Sequence, residues 1–111
     1  MTYDVKIAHQ ALLDLKSICE YSANALMEPA IAVKQYSQLE KAVYSLKHMP
    51  ERFRRYEKEP WQSRNLRVMP VGNYIICYIV DNEKGMVTVI RIMYGRRNTE
   101  KELDDMARQD N

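Results

Sequence analysis

Residues 64–97 read RNLRVMPVGNYIICYIVDNEKGMVTVIRIMYGRR, and this stretch decides the fold. Tyr74–Val80 and Val87–Met93 are nearly continuous apolar runs of strand length. The segment Asp81-Asn82-Glu83-Lys84-Gly85 between them predicts a hairpin loop, with glycine available for positive φ. Leu66, Val68 and Val71 open the sheet one strand earlier, and Gly72-Asn73 marks the turn. Arginines gather at the ends of these runs. A rigid sheet with a guanidinium rim is suited to gripping phosphate or an acidic partner.

Alternation along the last run assigns Val87, Val89, Arg91 and Met93 to one face and Thr88, Ile90, Ile92 and Tyr94 to the other. Both faces are apolar, so both need a cover: helices on one side, the C-terminal segment or another chain on the other. Arg91, the single charge in the strand, marks the less buried face. Upstream, Tyr3, Val5 and Ile7 alternate with Asp4 and Lys6, a short half-buried strand. From about Ala8 the period becomes helical, with Leu12, Leu15, Ile18, Cys19 and Leu26 as the stripe. Glu28-Pro29 breaks that run, and a second helix is predicted to about Lys47 on a stripe of Ala32, Tyr36, Leu39, Val43 and Leu46. The two helices form an antiparallel hairpin. Residues 51–63 read as a charged loop, with a short strand around Arg55–Glu57. Thr99–Arg108 reads as a short acidic helix.

The 111 residues allow one core and one domain, with 98–111 as an acidic tail or helix. The expected class is α+β: a small antiparallel sheet in the order β-α-α-β-β-β, packed on the N-terminal helical hairpin. A net charge of +2 is too small to argue for nucleic acid alone, but its distribution is uneven. Residues 51–67 concentrate Arg52, Arg54, Arg55, Lys58, Arg64 and Arg67, and the chain after Asn98 is acidic. Cys19 and Cys77 lie within apolar periodic runs and are expected as buried free thiols, with a disulfide as the lesser alternative. No apolar run approaches the ~20 residues of a membrane span, so a cytoplasmic protein is expected. There is no phosphate loop, zinc pattern or nucleophile motif, and no cofactor or metal is expected.

The order strand, helix, helix, strands resembles the RelE/ParE superfamily of bacterial toxins. The residues that carry the resemblance are Val5 and Ile7; Ala11, Leu12, Leu15 and Ile18; Pro29-Ala30; Leu46 and Pro50; Arg67; Tyr74, Ile76 and Tyr78; and the closing run Val89-Ile90-Arg91-Ile92-Met93-Tyr94-Gly95-Arg96-Arg97. It covers the chain to about Asn98. The resemblance implies the toxin of a type II toxin–antitoxin pair, neutralised by a small cognate antitoxin. RelE-like and YoeB-like members cut messenger RNA on the ribosome, and ParE-like members block DNA gyrase. Fold alone does not choose between these targets.

For the nuclease reading, taken here as the leading one, the site comprises Arg67, Arg91 and Tyr94. Cleavage needs a base near the 2′-hydroxyl, a cation on the scissile phosphate and an acid for the leaving oxygen. Arg67 is the phosphate clamp, Arg91 a second cation, and Tyr94 a proton donor or stacking ring. Against these stand a solvated edge arginine, an antitoxin contact and a rim aromatic packed on the core. Arg54, Arg55, Arg64, Arg96 and Arg97 are the expected contacts to nucleic acid or target. Glu57 and Glu59 are weaker candidates for a base, and His9 and His48 read as structural. One departure bears on the target. The nucleases place an arginine just after the position matching Tyr74, and here that residue is Ile75. Arg67 or Arg91 must then replace it, or the chain is a ParE-like gyrase inhibitor without nuclease activity. A third reading is a degenerate, non-toxic module that only binds its antitoxin.

Overall fold

The computed structural model describes residues 2–21, 27–95 and 99–109. Its elements are β1 (Asp4–Ile7), α1 (His9–Glu20), α2 (Pro29–Ser45), a single 3-10 turn (Pro50–Arg52), β2 (Arg54–Arg55), β3 (Leu66–Val71), β4 (Tyr74–Asp81), β5 (Met86–Tyr94) and α3 (Thr99–Gln109). The strands form one sheet in the order β1-β5-β4-β3-β2. The α+β class and the helical hairpin are as expected from sequence. The difference is at the margin: β1 pairs with β5 in parallel, Val5 opposite Val87 and Ile7 opposite Val89, so the sheet is mixed. A parallel neighbour needs a long connection, and here α1, α2 and β2 to β4 all lie between the two strands.

The hairpin face of the sheet buries Met69, Ile76, Tyr78, Val80, Val87, Val89 and Ile92 against Ala11 and Leu15 of α1 and Leu39 and Val43 of α2. Pro29 opens α2 in its first turn, where its missing N–H costs nothing. Two positions of the predicted stripes lie elsewhere: Leu12 and Tyr36 are exposed, and Ala11 takes the buried place beside Leu12. The small alanine side chain lets α1 approach the sheet closely. Leu26 lies outside the described residues.

The opposite face carries a second core of Leu66, Cys77, Ile90 and Met93, covered by Leu103 of α3 and by Trp61. The C-terminal segment is thus the cover that the doubly apolar strands required. Trp61, expected in a loop, is 3% exposed and donates its indole N–H to the Leu103 carbonyl at 3.0 Å.

A β-bulge interrupts β5. Cys77 pairs with Arg91 and Tyr78 with Val89, leaving Ile90 without an opposite residue. The bulge shifts parity within the strand, so Val87 and Val89 face the hairpin while Met93 faces α3. The simple alternation of the sequence therefore fails from Arg91 onward: Ile92 faces the hairpin, while Arg91 and Met93 share the face of Ile90. The two-residue β3–β4 turn has Gly72 at φ +59°, as a type II′ loop requires of its first residue. Among the described residues, no helix is long and apolar enough to cross a membrane.

Candidate functional site

Arg67 projects from β3 on the hairpin face, where its register partner is Tyr78. Its Nη1 donates to the carbonyls of Glu51 (3.1 Å) and Phe53 (2.8 Å), and its Nη2 pairs with Glu51 Oε2 at 3.1 Å. Asn82 donates to the other Glu51 oxygen at 3.2 Å, and the Tyr3 hydroxyl donates to Asn82 Oδ1 at 2.7 Å. Burial pushes the Glu51 carboxyl up, but hydrogen bonds from Asn82, Asn65 and Arg67 outweigh it and hold the group below its ordinary value. Burial pushes the Tyr78 phenol up to about 12 despite the nearby arginines, so it stays protonated and donates to the Pro50 carbonyl. Together these groups fix the 3-10 turn against the sheet. Both terminal nitrogens of Arg67 are occupied by this work, while its buried Nε has no hydrogen-bond partner among the described residues.

Arg91 sits at the bulge, on the row of Cys77, with a side chain 12% exposed. Its Nε and Nη2 grip the Asp14 carboxylate at 2.7 and 3.0 Å, and Nη1 reaches Glu102 at 3.1 Å. Asp14 also accepts the Ile92 backbone N–H at 2.9 Å. β1 ends opposite Val89, so this carboxylate satisfies a backbone donor that the open edge of β5 would leave unpaired. The hydrogen bonds to Asp14 raise the Arg91 pKa further, against burial. Arg91 thus joins α1, β5 and α3 and does not mark a less buried face.

Tyr94 ends β5 and is 65% exposed. Its ring meets Tyr74 edge-on, with centroids 5.4 Å apart. The pair borders a groove of about 640 Å³ that also includes Ile18, Tyr21, Gln35 and Asn73. Burial, ahead of the neighbouring Tyr94, pushes the Tyr74 phenol up.

The structure does not bring these three residues together. Tyr94 pairs with Tyr74, four rows along β4 from the Tyr78 row of Arg67. At ~3.3 Å per residue and ~4.8 Å per strand, the two positions are about 16 Å apart. Arg91 lies on another row and points between α1 and α3. A general acid, a base and a phosphate clamp must converge within hydrogen-bond reach of one substrate, and this set does not.

Among the remaining predicted contacts, Arg54 is exposed and has no hydrogen-bond or ion-pair partner among the described residues. Arg55 reaches Asn65 Oδ1 at 3.4 Å, and Arg64 stacks on Trp61 at 5.1 Å. Arg96 and Arg97 lie outside the described residues. Glu59 accepts a short hydrogen bond from Ser63, and Glu57 is exposed. His48 offers its carbonyl to Arg52 at 2.6 Å. Arg54 and Arg52 border a second groove, of about 430 Å³, floored by Val68, Pro70 and Ile75. Among the described residues, no group of three or more His, Cys, Asp and Glu side chains is placed to hold a metal ion.

Sequence reasoning missed Asp14, Glu51 and Glu102, the carboxylates that occupy the two arginines. No local pattern marks them, since they lie 77, 16 and 11 residues from their partners.

The family model for the ParE toxin of the type II toxin-antitoxin system, parDE, matches residues 5–99. No curated protein matches the chain in sequence at a significant level. Among solved structures, the chromosomal ParDE system from P. aeruginosa aligns with a TM-score of 0.71 at 17% identity, over 86% of this chain and 98% of that one. The RelBE2 toxin-antitoxin complex from Mycobacterium tuberculosis aligns at 0.61 and 21% identity, covering 85% and 92%. The isolated E. coli RelE toxin aligns at 0.57 and 16%, covering 95% and 97%. At these identities the likeness is one of fold.

Proposed function

We propose that this chain, which belongs to the ParE toxin family of type II toxin–antitoxin systems, arrests growth by binding DNA gyrase and not by cutting messenger RNA. A cognate antitoxin holds it inactive. The observation that carries this reading is the state of the two arginines. Arg67 is paired with Glu51, and Arg91 with Asp14 and Glu102. A phosphate on either would have to displace a carboxylate already in place, and the second cation would still be on another row of the sheet. Ile75, where the nucleases carry an arginine, is packed on the second core. Stabilising the charge that develops during phosphodiester cleavage needs preorganised free donors, and a binding inhibitor has no such requirement.

The test is a DNA supercoiling assay with purified gyrase. The expected result is inhibition as this protein is titrated in, relieved by its antitoxin. Full supercoiling at a large molar excess of active, folded protein contradicts the proposal.

One observation favours the ribosome-dependent endonuclease as a second reading. Tyr94 stands exposed beside Tyr74 on an open groove, where a base has room to stack. That reading requires Tyr94→Ala to abolish toxicity with the fold intact and to remove cuts in translated messages.

A further inference from the structure

The second face of the sheet is only partly covered. α3 and Trp61 close over Leu66, Cys77, Ile90 and Met93, but the neighbouring row is open. Val68, Pro70 and Ile75 floor the groove of about 430 Å³, a volume ample for aliphatic side chains. Arg54 is the register partner of Val68 and stands on the same face at the groove's edge. Its charge is unmatched among the described residues. Arg52 lines the groove as well, and among the described residues its guanidinium donates to neutral acceptors on Ser45, His48 and Met49. Among the described residues, the one carboxylate bordering the groove, Glu100, is already paired with Lys58 at 2.9 Å. The groove is therefore apolar at its floor and positive at its rim.

The edge beside it resists strand addition. Tyr56 donates to the Leu66 carbonyl at 2.9 Å, so Leu66, Val68 and Pro70 are the β3 residues whose backbone groups point towards β2 and solvent. β2 ends its pairing at Val68. The next outward position is Pro70, which has no N–H to offer. A ligand here gains little from main-chain pairing and must be held through its side chains.

We infer that this groove docks an extended acidic segment of the antitoxin through an aliphatic side chain seated on Val68, Pro70 and Ile75 and a carboxylate bound by Arg54. The inference rests on the antitoxin reading given above and adds its place and mode. An aliphatic residue and an acid two positions apart in an extended chain face the same way, which matches the placement of the floor and Arg54 on one face.

The test uses the whole chain and a fluorescein-labelled peptide of three Leu-Ser-Glu-Ser repeats, followed by fluorescence anisotropy. Two copies serve as comparisons: one with lysine for each glutamate, and one N-methylated at every serine. The acidic peptide is expected to bind at least tenfold more tightly than the lysine copy. Arg54→Gln is expected to weaken it severalfold and Arg54→Glu tenfold or more, with unchanged circular dichroism because the side chain is exposed. The N-methylated copy is expected to bind like its parent. Equal binding of the acidic and lysine peptides, undiminished binding to Arg54→Glu, loss of binding on N-methylation, or no binding of the acidic peptide each overturns the inference. Gyrase inhibition is measured on the unmodified chain without peptide, so failure of one result leaves the other standing.

Discussion

Arg91 and Arg67 show how a residue type can point to one chemistry and its surroundings to another. Both were read as cations awaiting a phosphate, and both meet carboxylates supplied by distant parts of the chain. Removing Arg91 leaves Asp14, 9% exposed in its side chain, without its counter-ion. Breaking a buried pair in this way typically costs about 3 kcal/mol or more. Arg91→Ala is therefore expected to lower the urea midpoint markedly, and Arg91→Lys to recover only part of the loss because the two-pronged grip is gone. A midpoint equal to wild type would show that the triad contributes nothing. Glu51 gives a pH-dependent counterpart. Its folded pKa lies below the unfolded value, so its contribution is fully present above the ordinary carboxylate range and is lost as pH falls through the folded pKa. Glu51→Gln should be less stable than wild type at pH 7, with the difference closing as the solution is acidified. A gap that is constant from pH 7 to pH 3 contradicts this. The cysteines report on burial. Cys77 is fully buried with its thiol pushed up to about 12 by burial, whereas Cys19 is half-buried with a smaller rise of the same cause. Disulfide-exchange reagents at pH 8 should label Cys19 first, with Cys77 reacting only as the protein unfolds; simultaneous labelling of both in the native state would count against that.

At the scale of the element, the informative pieces are β5 and α3. The strand runs were legible because apolar residues of that density have few other destinations, and the demand for a cover on both faces was legible for the same reason. The bulge at Ile90 was not. When both parities are apolar, a one-residue shift leaves no mark on the pattern, so the facing of Met93 and the burial of Arg91 were both misread. Trp61 does lie in a turn, but its burial was missed because its charged neighbours gave no period, although a lone tryptophan in such a segment is a signal of burial. Its hydrogen bond to Leu103 and the ion pairs of Lys58 with Glu100 and Asp104 tie α3 to the sheet. Leu103 is fully buried, and Leu103→Ala is expected to cost about 2–5 kcal/mol through the cavity it leaves. Trp61→Phe should cost less, about 1 kcal/mol from the lost hydrogen bond together with the smaller ring. A Leu103→Ala protein as stable as wild type in guanidinium would mean that α3 is not part of the cooperative core.

For the molecule as a whole, the fold was readable and the mode of action was not. Order of elements, helical hairpin and terminal helix follow from periodicity and punctuation. Function depends on which side chains meet across the sheet, and those meetings are set by register and by carboxylates far away in sequence. Among the described residues, the positive rim that the sequence suggested includes two arginines held by carboxylates and another, Arg54, with no hydrogen-bond or ion-pair partner, beside an open apolar groove. That contrast is what turns the reading from cleavage to binding. Primer extension on translated messages, taken as growth stops after the protein is induced without its antitoxin, addresses this most directly. The prediction is arrested growth with full-length, uncut messages; breaks phased to codons at the onset of arrest would contradict it.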